Sequence, residues 1–395
     1  MFKYFIYTLF LSLLFGCQSE ASDQDSPHTG EIQASEIIVG AERMEQYLPL
    51  LEGKKVGVFA NHTALVKESH LIDTLLALEV NVISVFSPEH GFKGNRPDGE
   101  VIENESADSF ELISLYGSNK YPKDEDIRKI DVLVIDIQDV GVRCYTYASS
   151  MTFLMEVCAK NKVPVILLDR PNPNGAYVDG PVLDEKFKSF VGLHPIPLVH
   201  GLTLGELAKM INGEGWLKDS VRCNLTIIPV SNWNHDIPYS LPVPPSPNLP
   251  NDQSISLYPS LVLFEGTVVS VGRGTDRPFQ IIGHPEFRLG SFVFTPQPNS
   301  GSKYPPLEGK LCYGQNLSNI PVGDSLNLSY LINYYQHISP QLEEPFFNNY
   351  FTNLAGTDQL QKQIEAKLSI DEIKQSWSSE LSKFKTIREK YLIYK

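Results

Sequence analysis

The sequence predicts an α/β fold, a doubly wound and mostly parallel sheet followed by a smaller α+β domain. From Lys54 onward, short runs of β-branched apolar residues alternate with segments of helical periodicity. Continuous apolar runs of this kind are typical of parallel strands that are covered on both faces. From about Pro285 the pattern changes to mixed strand and helix signals, which indicate the second unit.

The first 37 residues predict export of the protein. Residues 1–17 place one lysine before an apolar run that is too short to cross a bilayer, which takes about 20 residues. The ending LLFGC resembles a bacterial lipobox, so we expect a lipoprotein signal peptide and lipidation of Cys17. An ordinary secretory peptide with an incidental cysteine is the alternative. Residues 18–37 are polar, which predicts a flexible tether to the membrane.

The folded body follows as recognisable elements. Thr203 and Glu206 have capping-box spacing and predict the start of a helix that ends at the glycines of NGEGW, before the strand CNLTIIPVSNW. The proline-rich stretch YSLPVPPSPNLP predicts an extended surface connection, and SLVLFEGTVVSV has strand-like alternation. Earlier in the chain, four strands are predicted in KKVGVFANH, VNVISVFSPEH, IDVLVIDIQDVG and VPVILLDRPNPNG, with helices in SHLIDTLLALE and SMTFLMEVCAKNK.

Each of these four strands ends in polar residues. The carboxyl ends of parallel strands in an open α/β sheet face one crevice, where ligands bind. We therefore expect a polar cleft at this edge. The side chains concerned are Asn61 and His62, Glu89 and His90, Asp136, Gln138 and Asp139, and Asp169, Arg170 and Asn172.

Composition and motifs exclude several classes of function. The 33 basic and 47 acidic residues give a formal charge of −14, which disfavours nucleic acid as a partner. The loop after the first strand lacks the GxGxxG pattern, and there is no Walker loop, GxSxG or HExxH, so we expect no nucleotide cofactor. The cysteines after Cys17 form no CxxC pair and no cluster with histidines, so no metal site is predicted.

The remaining polar residues are suited to sugar chemistry. Glycoside hydrolysis needs a proton donor at the leaving oxygen and a second group that assists at the sugar carbon. Glu89 suits the donor if the cleft raises its pKa, although a carboxylate that only accepts backbone amides is the alternative. Asp136 and Asp139 are further candidates, with a turn or cap role as their alternative.

Two other segments offer binding groups. Arg143, Tyr145 and Tyr147 alternate in GVRCYTY, so an extended chain would direct all three to one side, suiting a sugar that carries a carboxylate. The alternative is an ion pair of Arg143 with Asp136 or Asp139. The second segment contains Tyr258, Glu265, Arg273 and Asp276, with a structural salt-bridge cluster as its alternative. Further candidate ligand-binding residues are Asn61, His90, His200 and Asn248.

Several of these motifs occur together in a recognisable order. SPEHGFKG, IDIQDVGVRCYTYASSM, DRPNPNG, PPSPNLP and LYPSLVLFEGTVVSVGRGTDRPFQIIGHP resemble the exo-β-N-acetylmuramidases of glycoside hydrolase family 171, over residues 38–395. The resemblance implies release of non-reducing terminal N-acetylmuramic acid (MurNAc) from β-1,4-linked MurNAc–GlcNAc fragments of peptidoglycan. It also implies a Rossmann-like catalytic domain at 38–284 and an α+β domain at 285–395 that completes the cleft.

The resemblance also implies roles for individual residues. Glu89 of PEHG is the expected catalytic acid, and Tyr258 of LYP is expected to line the same cleft. FEGT supplies Glu265, and GRGTDRPF supplies Arg273 and Asp276. Either Arg143 or Arg273 is expected to bind the lactyl carboxylate that distinguishes MurNAc from N-acetylglucosamine (GlcNAc). This chain departs from the family at Cys144 and in the loop GNRPDGE.

Mechanism, class and location are separate expectations. The second catalytic role falls either to Asp136, Asp139 or Glu265 as base in an inverting reaction, or to the acetamido group of the substrate. A non-catalytic lipoprotein that binds muropeptides is the alternative function. The lipobox at Cys17 predicts a lipid-anchored protein. A role in peptidoglycan salvage predicts that it faces the periplasm.

Overall fold

The strands and helices come from a computed structural model that describes residues 36–89, 91–94, 105–106 and 109–395. The predicted signal peptide, Cys17, the tether up to residue 35 and His90 lie outside the described residues. Residues Ile37–Lys395 form one compact unit. In the described part of the chain, no helix combines the length and the apolar character needed to span a bilayer.

The strands are short and are numbered in chain order. They are β1 (Val56–Ala60), β2 (Leu65–Val66), β3 (Ser69–His70), β4 (Val82–Ser87), β5 (Glu105–Ser106), β6 (Glu111–Ser114), β7 (Val132–Asp136), β8 (Val165–Leu168), β9 (Asp179–Val182), β10 (Pro197–Val199), β11 (Leu225–Ile228), β12 (Ile281–His284), β13 (Phe292–Phe294) and β14 (Cys312–Asn316).

The helices are numbered in the same way. They are α1 (Met44–Leu51), α2 (Leu71–Ala77), α3 (Asp124–Ile127), α4 (Tyr147–Asn161), α5 (Leu204–Glu214), α6 (Asp252–Leu261), α7 (Ser329–Ile338), α8 (Phe351–Ala355), α9 (Gln359–Glu365), α10 (Ile370–Ser376) and α11 (Ser378–Arg388). A 3-10 helix at Val262–Gly266 continues directly from α6.

The central sheet has the strand order β11-β8-β7-β1-β4-β6-β5. All neighbouring pairs are parallel except β5 with β6, which confirms the predicted doubly wound, mostly parallel sheet. Every residue of β1 and β7 is buried, because both faces of the sheet are covered. Val58 and Phe59 illustrate this, since they are adjacent in β1 and pack into cores on opposite faces.

The strand order places a topological switch at the centre of the sheet. From β1 the chain adds β4 and β6 on one side, and then β7, β8 and β11 on the other. Ligand crevices in open α/β sheets form outside the carboxyl ends of the strands at such a switch. This topology favours a site near the residues that follow β1, β4 and β7.

The predicted helix start at Thr203 is confirmed at α5. The Thr203 side chain accepts a hydrogen bond from the backbone of Glu206, and the Glu206 carboxylate accepts one from the backbone of Thr203. Asp169, which follows β8, accepts further hydrogen bonds from the Thr203 hydroxyl at 2.7 Å and the Gly205 amide at 2.9 Å. A Cβ atom at Gly205 would lie 2.6 Å from this carboxylate, so the glycine allows the close approach of strand end and helix.

The C-terminal part of the chain combines antiparallel strands with helices, as predicted. Strands β12, β14 and β13 form a three-stranded antiparallel sheet in that order. Helices α7 to α11 follow, and Tyr394 near the chain end donates a hydrogen bond of 2.7 Å to Asp169. The domain boundary at residue 285 stays a prediction.

Two local predictions were wrong. SLVLFEG is not a strand, because Asn251 and Ser254 form a capping box that begins α6, and the apolar run continues as a buried helix. The proline-rich stretch does not run over the surface throughout, since Ser246 and Asn248 are buried. Short apolar runs do not distinguish a strand from a buried helix by periodicity alone.

Candidate active site

A cavity of about 340 Å³ lies at the carboxyl end of β4. Its size falls within the range of about 300–1,000 Å³ that is typical of small-ligand sites. Its lining residues follow β4, precede and begin α4, or belong to α6 and its 3-10 extension. Others lie around positions 191, 246–249, 267–279, 302–306 and 350–354. Six of the predicted site residues line it: Glu89, Tyr145, Asn248, Tyr258, Glu265 and Arg273.

Glu89 is delivered to this cavity by the central sheet. It is the second residue after β4, a strand that pairs with β1 on one side and β6 on the other. The hydroxyl of Thr146, which directly precedes α4, donates a hydrogen bond of 3.1 Å to Oε2 of Glu89. The carboxyl is thus fixed by a rigid strand and a helix N-terminus, as a proton donor at a bond to be cleaved must be.

Three buried tyrosines form an aromatic wall. The rings of Tyr145 and Tyr147 meet edge to face with centroids 4.7 Å apart, and those of Tyr145 and Tyr258 lie 6.2 Å apart. Both Tyr145 and Tyr147 donate hydrogen bonds to the Pro245 carbonyl, at 3.0 and 3.3 Å. Burial raises the pKa of Tyr145 and Tyr258 well above the ordinary value of 10, so both phenols stay protonated and neutral.

Opposite charges meet at Glu265 and Arg273. Nε of Arg273 donates to Oε1 of Glu265 at 2.5 Å, and the guanidinium carbon lies 5.3 Å from the centroid of the Phe279 ring. Gly272 and Gly274, with φ of +80° and +78°, flank the arginine in backbone conformations that favour glycine. The GRG motif is therefore a tight turn that places Arg273 in the cavity wall.

Arg143 does not line the cavity, contrary to the prediction that the 143–145 segment is extended. Val142 is bridged to Val199, and the chain turns at residues 143–146 before α4 begins. The buried Arg143 guanidinium donates to the carbonyls of Pro181 and Ile196 at 2.8 Å and of Leu354 at 2.9 Å. Arg143 therefore connects three chain segments behind the cavity.

The carboxylates near the end of β7 are also placed away from the cavity. Asp136 is fully buried and accepts two hydrogen bonds from Arg170, at 2.5 and 2.9 Å. Asp139 accepts a bond of 2.7 Å from the Gly141 amide, and burial raises its pKa to about 7. Neither acid pairs with Arg143 among the ion pairs of the described residues, so that alternative is wrong as well.

Three candidate binding residues also lie outside the lining. Nδ2 of Asn61 donates to the Tyr147 hydroxyl at 3.0 Å, behind the aromatic wall. His200 is buried, its Nδ1 accepts from the Leu202 amide, and burial lowers its pKa to about 3. The Asp276 side chain is 86% exposed and contacts Arg277 at 3.8 Å. Asn61 therefore supports a lining residue, whereas His200 and Asp276 do not belong to the lining.

Several lining residues were missed as site residues. Thr146, Ser302 and Tyr304 line the cavity. Thr146 lies in the GVRCYTY segment but was not singled out, and Ser302 and Tyr304 belong to no motif found in the sequence. The thiol of Cys144 also lines it and donates to the Leu354 carbonyl at 3.4 Å. Burial raises the pKa of this thiol to about 12, so it stays protonated. Within the described ranges, no group of three or more His, Cys, Asp or Glu residues is arranged to hold a metal ion.

Comparisons with known proteins agree with this architecture. Residues 56–253 match a family model described as the N-terminal part of the exo-β-N-acetylmuramidase NamZ, and residues 256–394 match the model of its C-terminal part. The chain is 32% identical to peptidoglycan β-N-acetylmuramidase NamZ of Bacillus subtilis, over 97% of each chain.

Two solved structures, both of DUF1343 family proteins from Bacteroides fragilis, are similar over 91% of this chain and 99% of theirs. One is 48% identical with a TM-score of 0.84, and the other 28% identical with a TM-score of 0.78.

Proposed function

The chain belongs to the NamZ exo-β-N-acetylmuramidase family, and on that premise we propose that it hydrolyses the bond between a non-reducing terminal MurNAc and the rest of a peptidoglycan fragment. The observation that carries this proposal is Glu89, fixed by β4 and Thr146 in a cavity with an aromatic wall. Such a cavity suits a single pyranose, whose carbon faces pack on tyrosine rings.

Glu89 is proposed as the general acid. A protonated carboxyl at this position donates its proton to the glycosidic oxygen as the bond to the departing sugar breaks. Thr146 orients the carboxyl by its hydrogen bond to Oε2. The protonated phenols of Tyr145 and Tyr258 add no negative charge that would compete for the proton.

Arg273 is proposed as the residue that distinguishes MurNAc from GlcNAc. Its positive charge lies in the cavity wall, whereas Arg143 is buried behind it. A guanidinium attracts the lactyl carboxylate that only MurNAc carries. Glu265 orients Arg273 through the bond at Nε.

The second catalytic role has two candidates. Among Asp136, Asp139 and Glu265, only Glu265 lines the cavity, which makes it the candidate base for an inverting reaction. The acetamido group of the substrate is the candidate for a retaining one. Nuclear magnetic resonance of the first product distinguishes them, because inversion gives the α-anomer of MurNAc and retention the β-anomer.

We also propose that the protein is exported and lipid-anchored at Cys17, facing the periplasm. The lipobox-like LLFGC and the polar segment after it support this proposal, together with the extracytoplasmic location of peptidoglycan. Metabolic labelling with an alkynyl fatty acid tests it. Label is expected on the wild-type protein and not on Cys17→Ala, and an unlabelled wild-type protein would contradict the anchor.

The activity is tested with the full-length protein and 4-nitrophenyl β-glycosides of MurNAc and GlcNAc. We expect release of nitrophenol from the MurNAc compound at a kcat/KM far above that for the GlcNAc compound. Glu89→Gln is expected to slow this release, and Glu343→Gln, at an exposed glutamate, is the control for the effect of a Glu-to-Gln change elsewhere in the protein. Binding of MurNAc by calorimetry without any release would instead favour a muropeptide-binding lipoprotein and overturn the hydrolase proposal.

A further inference from the structure

One lining residue differs from the others in its exposure. Tyr145 and Tyr258 in the inner wall are 8% and 7% exposed, whereas Tyr304 is 79% exposed and still lines the cavity. Tyr350 is the other exposed tyrosine of the lining, at 42%. The cavity thus has buried rings inside and exposed rings at its mouth.

The backbone around Tyr304 is fixed on both sides. Before it, the Asn248 side chain donates to the Gly301 carbonyl at 2.9 Å. After it, Pro305 packs closely on Gly274, and a Cβ atom added to Gly274 would lie 2.5 Å from the proline ring. The loop that carries the ring is therefore held in place before a ligand binds, so binding costs little conformational entropy in this loop.

One face of the Tyr304 ring is already in contact with a cation. Nζ of Lys303 lies 5.6 Å from the ring centroid, close to the limit of about 6 Å for such contacts. A ring has two faces, and the high exposure of Tyr304 shows that the protein does not cover both. The ring can therefore receive one flat ligand group at the cavity mouth.

We propose that Tyr304 forms the binding subsite for the sugar on the leaving-group side, a β-linked pyranose such as GlcNAc. This inference rests on the proposed function. An exo-acting enzyme holds the terminal sugar inside the cavity, and the rest of the glycan extends out through the mouth. The carbon-bound hydrogens of a pyranose pack on an aromatic face, and Tyr adds a hydroxyl at the wet edge. Tyr304 therefore selects for a sugar, rather than any leaving group, beyond the cleaved bond.

The test compares two substrates that share MurNAc and differ in the leaving group. MurNAc-β-1,4-GlcNAc reaches the mouth with its second sugar, whereas methyl β-MurNAc does not. We expect Tyr304→Ala to lower kcat/KM for the disaccharide roughly 2- to 10-fold, the worth of one aromatic contact, and to leave the methyl glycoside unchanged. Tyr304→Phe keeps the ring and is expected to retain disaccharide turnover.

The matched control is Tyr121→Ala, an exposed tyrosine that lies outside the cavity lining. Equal losses on both substrates, or no loss on the disaccharide, would overturn the subsite. Wild-type turnover of the methyl glycoside tests the proposed function separately. If the wild-type protein cleaves neither compound, calorimetry of the same variants decides: a selective loss of disaccharide affinity in Tyr304→Ala supports the subsite, and any other result refutes it.

Discussion

Replacing Arg143 by methionine is expected to destabilise the fold without changing substrate selectivity. The change removes three hydrogen bonds from a charged donor to buried carbonyls of Pro181, Ile196 and Leu354. Bonds to charged groups contribute about 1.5–3 kcal/mol each, whereas desolvation of a buried guanidinium costs several kcal/mol and offsets part of that stabilisation. Burial lowers the pKa of Arg143, in the direction expected from desolvation. From the hydrogen bonds less the desolvation cost, we expect a net loss of about 2–4 kcal/mol.

Two measurements on the same variant separate a structural role from a binding role. Urea denaturation of Arg143→Met gives the free energy of unfolding, and kcat/KM for MurNAc and GlcNAc glycosides gives the selectivity of the folded fraction. Arg273→Met is the matched control, because it removes the same charge from the cavity wall. Unchanged stability of Arg143→Met, or a loss of MurNAc selectivity equal to that of Arg273→Met, would refute the reasoning.

Two further predictions concern charge at and behind the site. Arg273→Gln is expected to lower the preference for MurNAc over GlcNAc roughly 10- to 100-fold, the worth of one charged hydrogen bond, measured as the ratio of kcat/KM values; an unchanged ratio would exclude Arg273 as the carboxylate ligand. Burial raises the folded-state pKa of Asp139 from 3.8 to about 7, so wild-type stability loses a contribution as pH rises across that window. Asp139→Asn removes this dependence, because the amide does not titrate. Relative to the wild type, the variant is therefore expected to gain roughly 2–4 kcal/mol in unfolding free energy between about pH 4 and pH 7. Denaturation at several pH values checks this, with the exposed Asp276→Asn as control, and a difference that is constant with pH would contradict it.

The sheet could be predicted because its strands carry an unambiguous signal. Residues of β1, and those of β7 up to Ile135, are apolar, as expected for parallel strands buried on both faces. The crevice could be predicted as well, because polar residues come directly after each apolar run. The predicted position of Glu89 at a strand-end cleft agrees with its place in the cavity lining.

The sequence could not show which polar strand ends face inward. Asp136 and Glu89 both follow apolar runs, yet Asp136 is paired with Arg170, 34 residues away. Asp169 likewise accepts from Tyr394, 225 residues further along the chain. Partners at such separations are fixed by the fold and leave no local pattern, so structural and functional carboxylates look alike in the sequence.

The cavity mouth was missed for a related reason. Tyr304 lies in a loop without periodicity, and it reaches the site only because Asn248 and Gly274 fix that loop from other segments. The turn at residues 143–146 was not predicted either. An alternating arginine and tyrosine indicated an extended chain, but the helix α4 that begins at Tyr147 ends the alternation.

The role of Glu89 as proton donor is tested most directly by varying the leaving group in Glu89→Gln. A general acid matters most when the departing group is a poor one, and contributes roughly 100- to 10,000-fold. We expect Glu89→Gln to lose activity of that order on MurNAc-β-1,4-GlcNAc, and to lose far less on 2,4-dinitrophenyl β-MurNAc, whose leaving group needs no proton. Equal losses on both substrates, or full activity on the disaccharide, would contradict the assignment of Glu89 as the catalytic acid.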